Sequence, residues 1–115
     1  MSRKSRNRKT ARRDAQALVF AALGDKTRLL LVTRLCGGQP RSISQLTKGS
    51  SLTRQAITKH LRVLERVRIV RSRRRGRESL FEFDPEPIDE IKQYLDLVCR
   101  QWDQALSRLK SFVED

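Results

Sequence analysis

The sequence predicts a mainly α-helical domain with one small β-hairpin and a long C-terminal helix. Three observations carry that expectation. After a hydroxyl-rich turn at residues 50–53, Ile57, Leu61, Leu64 and Val67 recur at helical spacing. Residues 68–84 gather β-branched and aromatic side chains on either side of Gly76. From Ile88 to Phe112 apolar residues return at alternating steps of three and four, a heptad-type seam.

Taken in order, Ala15–Leu23 reads as a first helix, stopped by Gly24. Asp25 suits the N-cap of a second helix from Lys26 to about Cys36, with Leu29, Leu30, Val32 and Leu35 as its buried side. Gly37-Gly38 ends it, and residues 40–43 form an extended link. Ser44 is the expected cap of a short third helix, Gln45 to Lys48. The fourth helix runs from about Arg54 to Val67. Its apolar stripe leaves Arg54, Gln55, Thr58, Lys59 and Arg62 on the opposite, outer face. A short helix, a tight turn and a second helix with an amide-bearing, basic outer face is a helix-turn-helix, whose second helix fits the major groove of DNA. Two strands follow, Arg68–Arg73 and Ser79–Asp84, around a turn at residues 74–77. An arginine-tipped hairpin placed there is a wing, and Arg73, Arg74, Arg75 and Arg77 can bridge phosphates or enter a narrow minor groove. Pro85 and Pro87 break the chain before the last helix, about 88–113. One small domain has little core left to cover so long a seam, so much of it is assigned to a second copy of the chain.

Charge divides the sequence in the same way. The 115 residues carry a net +13, which calls for a polyanionic partner. Residues 1–13 hold seven basic and no acidic side chains, and residues 54–77 hold ten basic and one acidic. Residues 78–115 hold four basic and ten acidic. Residues 1–13 have no apolar period and are expected to form a disordered basic arm ahead of one domain, 14–115. No apolar run approaches the ~20 residues a bilayer span needs. No apolar stretch of signal-peptide type follows the basic N-terminus. Two cysteines make neither a disulfide framework nor a metal clip, so the expected compartment is cytoplasmic. No phosphate-cradling glycine loop or nucleophile–base set points to an enzyme, and no cofactor is implied.

The stretches Ala22-Leu23-Gly24-Asp25-Lys26-Thr27-Arg28, Leu52 through Glu65, and Gly76-Arg77-Glu78 give a further indication. Through them the sequence resembles the arsenical-resistance-repressor (ArsR) family of bacterial winged-helix regulators, over roughly residues 15–113. The late Trp102 followed by Leu106 and Leu109 looks like the branch without metal sites. The resemblance implies an obligate homodimer joined through the first and last helices, with Leu18, Ala22, Ile91, Leu95, Val98, Trp102 and Leu109 at the interface. It implies a nucleoid-associated repressor on palindromic promoter DNA, with the recognition helix at about 53–66 and the wing at 73–77. Thr53, Gln55, Thr58 and His60 match positions that contact DNA in relatives. Both metal sites of the family are absent. Ser42-Ile43-Ser44 stands where one needs Cys-x-Cys, and the only histidine, His60, lies far from the other. Some relatives without metal sense sulfide or oxidants through cysteines on the second and last helices, where Cys36 and Cys99 fall. The alternative is that both are small buried hydrophobes. A sequence-independent architectural binder of nucleic acid is the other functional reading the charge allows, and the chain names no inducer.

Overall fold

The computed structural model describes the backbone of residues 2–114 and the side chains of residues 7–114. Five helices and three strands follow one another as α1 (Ser2–Leu23), α2 (Lys26–Leu35), β1 (Arg41–Ser42), α3 (Ile43–Thr47), α4 (Arg54–Arg66), β2 (Val70–Arg75), β3 (Glu78–Phe83) and α5 (Glu86–Glu114). The antiparallel sheet has the order β1-β3-β2. Its hairpin stands beyond α4 as the wing.

Local chemistry sets the helix ends. Asp25 caps α2, its carboxylate accepting from the Arg28 backbone N–H at 3.0 Å. Thr53 caps α4 through the Ala56 N–H at 3.1 Å. The end of α4 is closed by two hydrogen bonds, Arg68 N–H to the Glu65 carbonyl and Ile69 N–H to the Leu64 carbonyl. This closure needs a left-handed residue, and Arg68 supplies it at φ 65° where glycine is the usual choice. The hairpin turns on Gly76 and Arg77 alone, with Gly76 at φ 63° and Arg75 paired to Glu78.

Four expectations are corrected. The first helix begins at Ser2, so the backbone of residues 2–13 is helical instead of a disordered arm; Met1 lies outside the described residues. Arg, Lys and Ala are strong helix formers, and extending a docked helix avoids the cost of nucleation. The cap of α3 is Ser42, two residues earlier than expected. Ser42 Oγ accepts from Gln45 N–H at 3.2 Å and Gln45 Oε1 accepts from Ser42 N–H at 2.9 Å, a reciprocal capping box. Residues 41–42 also form a third strand, pairing Arg41 with Phe81 and Ser42 with Leu80, where only a link was expected. Finally, α2 buries Leu31, Val32 and Leu35 and leaves Leu29 and Leu30 exposed.

The core is one cluster in which Leu35, Leu46, Ile57, Leu61, Leu64, Ile69, Val70 and Phe81 are fully enclosed. It seats α4 on α2, α3 and the sheet. Two residues expected at a dimer interface belong to this core: Ala22 is 3% exposed and Ile91 4%. They sit where α1 and α5 leave the domain, so the chain's own side chains cover them first. Beyond Ile91 the seam has little cover from the described residues of its own chain. Leu95, Trp102, Leu106, Leu109 and Phe112 are exposed, as is Leu18 on α1, and Val98 is half-buried. Phe20 of α1 meets Tyr94 of α5 edge-on, ring centroids 6.3 Å apart.

Candidate nucleic-acid interface

The outward surface of α4 is fixed by what its other side buries. With Ile57, Leu61 and Leu64 in the core, Arg54, Gln55, Lys59 and Arg62 are exposed and Thr58 is half-exposed. Thr53 is exposed, with its hydroxyl engaged as the cap. Thr58 Oγ1 donates back to the Arg54 carbonyl at 2.7 Å, which leaves its lone pairs to accept. The Gln55 amide makes no hydrogen bond among the described residues, so its donor and acceptor both face solvent.

The wing adds Arg73, Arg74, Arg75 and Arg77, all exposed. The register puts Arg74 on the same sheet face as Ser72 and Phe81, and Arg73 and Arg75 on the other, so the hairpin carries cations on both faces. Among the described residues none of Arg54, Lys59, Arg73, Arg74, Arg75 and Arg77 is within salt-bridge reach of a carboxylate. A compact set of unneutralised cations is costly by self-repulsion unless an anion is brought to it.

The single carboxylate of residues 54–77, Glu65, works inside the protein, a role that sequence reasoning missed. It accepts from Arg62 Nη1 at 2.7 Å and from Ser72 Oγ at 2.5 Å, tying α4 to β2. The Ser72 hydrogen bond, and after it the Arg62 one, holds the Glu65 carboxyl below its usual range. Arg62 also lies 5.7 Å from the Phe81 ring centre. Its guanidinium is therefore engaged twice within the domain, unlike those of Arg54 or the wing. Arg71, next to the wing, pairs with Glu82 across the strands at 2.9 Å. The signal for Glu65 was present in the sequence as a lone acid among ten bases.

His60 departs from the outer face. It is half-buried against the corner between α1 and α2, with Nδ1 3.2 Å from Arg28 Nη1 and 3.7 Å from Asp25 Oδ2. The reading of the two cysteines as small buried hydrophobes fails: Cys36 and Cys99 are both free and exposed. Cys36 lies at the C-terminal cap of α2 and Cys99 on α5. Among the described residues no three His, Cys, Asp or Glu side chains gather as a metal site, and no helix is long and apolar enough to cross a membrane.

Comparisons with known proteins agree with this geometry. A helix-turn-helix domain family model matches residues 23–73, from the end of α1 into β2. The HTH-type transcriptional regulator Rv2034 of Mycobacterium tuberculosis is 31% identical over 95 residues, 83% of this chain and 85% of that protein. An ArsR-like transcriptional regulator from Rhodococcus sp. RHA1 superposes with a TM-score of 0.77 at 32% identity, covering 89% of this chain and 95% of that one. The homodimeric winged helix-turn-helix DNA-binding domain Mb0332 of Mycobacterium bovis shares the fold, with a TM-score of 0.66 at 22% identity, over 82% of this chain and 86% of that one. The exposed face of α4, the arginine-tipped wing and these relatives lead to one assignment: the chain belongs to the ArsR-like family of helix-turn-helix transcriptional regulators.

Proposed function

We propose that the chain is a repressor that binds palindromic promoter DNA as a homodimer, with α4 in the major groove and the wing on the backbone or minor groove of each half-site. The observation that carries the reading is the set of exposed cations without carboxylate partners on α4 and the wing, together with the exposed Gln55 amide on α4. Arg54, Lys59 and the wing arginines neutralise phosphate and fix register, and Gln55 reads a base edge, as an amide does with adenine. Thr53 and Thr58 stand beside it as short hydroxyl contacts. Arg62 contributes charge from a fixed position.

The second copy is supported by the uncovered seam. Trp102, Leu109 and Phe112 are 65%, 60% and 82% exposed, a continuous apolar stripe of the kind that soluble monomers rarely leave open. Leu18 on α1 and Leu95 and Val98 on α5 extend it toward the domain. Occupancy of promoter DNA by such a dimer excludes polymerase, and DNA as partner places the protein with the nucleoid in the cytoplasm.

The test is a pair of titrations, against a duplex selected from random DNA and against its scrambled sequence. Coverage of about six to ten phosphates predicts a slope of log K against log salt of roughly −5 to −9 for both. The selected duplex binds more tightly by at least about 4 kcal/mol at physiological salt. Equal affinity for both would establish an architectural binder instead.

A further inference from the structure

The contact between the recognition helix and the α1–α2 corner is chemically specific. Arg28 Nε donates to the Ala22 carbonyl at 2.5 Å, which fixes the guanidinium against the last turn of α1. The Arg28 backbone N–H donates to Asp25, which fixes the start of α2. Nη1 then reaches His60 Nδ1 at 3.2 Å, midway along α4. One guanidinium thus spans three helices. An arginine has donors only and stays charged. Its approach to Nδ1 is favourable only when that nitrogen holds a lone pair, which means neutral His60 with its proton on Nε2.

We propose that Arg28, oriented by Asp25, is a positioning residue that holds the recognition helix through neutral His60, so that protonating His60 weakens DNA binding. Protonation places an N–H on Nδ1, facing the Arg28 N–H, and a second positive charge beside the first. The charged groups that meet His60 from other elements are Arg28 and Asp25. Asp25, at 3.7 Å, is the single carboxylate within ion-pair reach of His60 among the described residues and already accepts the Arg28 backbone N–H. The Arg28 backbone hydrogen bond is the main cause that keeps its carboxyl ionised to lower pH than usual, with the Arg28 and His60 charges adding to it. The protonated ring must therefore leave Arg28, turning toward Asp25 or outward, and the guanidinium no longer joins α4 to the last turn of α1.

This inference rests on the reading that α4 is the DNA-contacting helix, and it reverses the sign expected of a histidine that touches DNA. A histidine on a phosphate gains affinity when protonated; a histidine held by Arg28 loses it. The chain has one histidine, so the titration is unusually clean. The experiment measures affinity of the full chain for a duplex selected from random DNA at pH 7.5, between pH 7.5 and 5.5, with the nitrogen NMR shifts of the lone imidazole followed in parallel. The expected result is a fall in affinity of about tenfold on acidification, the scale of one charge-assisted hydrogen bond. The imidazole is expected in the Nε2–H form at pH 7.5. His60→Gln, whose amide oxygen accepts from Arg28 at any pH, gives a flat profile. Arg28→Gln moves the neutral tautomer toward Nδ1–H, and its melting curve shows that the fold is retained. Affinity that rises on acidification, a pH profile that survives in His60→Gln, or an Nδ1–H tautomer in the wild type overturns the proposal. Absence of DNA binding at every pH overturns the reading beneath it and this inference with it.

Discussion

Residues 54–77 and residues 92–114 are both left open to solvent, for opposite reasons. The first stretch exposes cations while the centre of its apolar side is enclosed: Leu61 and Leu64 are 0% exposed. The second exposes apolar side chains while its own charges are mixed and nearly balanced, four basic and three acidic. Each surface is incomplete, and the missing component differs. The α4–wing surface lacks anions, and the α5 surface lacks apolar area. Residues 78–115 as a whole hold ten acidic and four basic side chains, a net charge opposite in sign to that of residues 54–77, so one chain carries two surfaces of different chemistry.

Breaking α5 has the largest expected effect. Trp102→Glu puts a charge in the centre of the uncovered stripe, and the dimer is expected to weaken by at least about 3 kcal/mol, the scale of one buried aromatic. Sedimentation reads the change as a fall to the mass of a single chain. The helical circular dichroism of the domain stays, because the core cluster does not include this residue.

On the other surface, Gln55→Ala is expected to cost about 1–3 kcal/mol on the selected duplex and nothing on scrambled DNA, measured by competition titration. Arg75→Ala weakens both duplexes alike and makes the salt slope shallower by about one. An exchange of those two patterns would reassign the roles of helix and wing.

The smallest effects concern the joints of the cationic half. Arg68→Gly relieves the left-handed backbone at the end of α4 and is expected to raise stability by up to about 1 kcal/mol in denaturant unfolding. Glu65 has a lowered carboxyl pKa in the fold, so its contribution is full above the ordinary glutamate value of 4.5 and is lost as the pH falls through the lower folded value. Because Glu65 is partly solvated, that contribution is under about 1 kcal/mol. Glu65→Gln should flatten this acid limb of the stability profile.

The two surfaces were legible in the sequence to different depths. The Thr53 cap, the Ile57–Leu61–Leu64 stripe and Gly76 each follow a local rule, so α4 appears where expected and the wing turns at Gly76, with its strands at Val70–Arg75 and Glu78–Phe83 instead of 68–73 and 79–84. Strand β1 did not, because two residues cannot show alternation and Arg41–Ser42 extends only by pairing with Leu80 and Phe81, far along the chain. The α3 cap is written in the sequence as Ser42-x-x-Gln45, whose reciprocal capping box prevails over the single hydroxyl of Ser44. His60 lies at the margin of the helix wheel, three residues after Ile57 and four before Leu64, and its partner Arg28 comes from α2, 32 residues away in sequence. Ile91 shares a spacing with the uncovered seam of α5, and Ala22 with the exposed Leu18 of α1, and neither spacing says where the chain's own core ends. The helical N-terminal extension was hidden because its composition satisfies both a solvated tail and a strong helix former.

The central claim is that one surface meets DNA while the other meets a second copy. A hydroxyl-radical footprint of the full chain on its selected duplex tests both parts together. The account predicts two protected patches related by a dyad, one helical turn or a multiple of about 34–36 Å apart. A single patch, or uniform protection along the duplex, would contradict it.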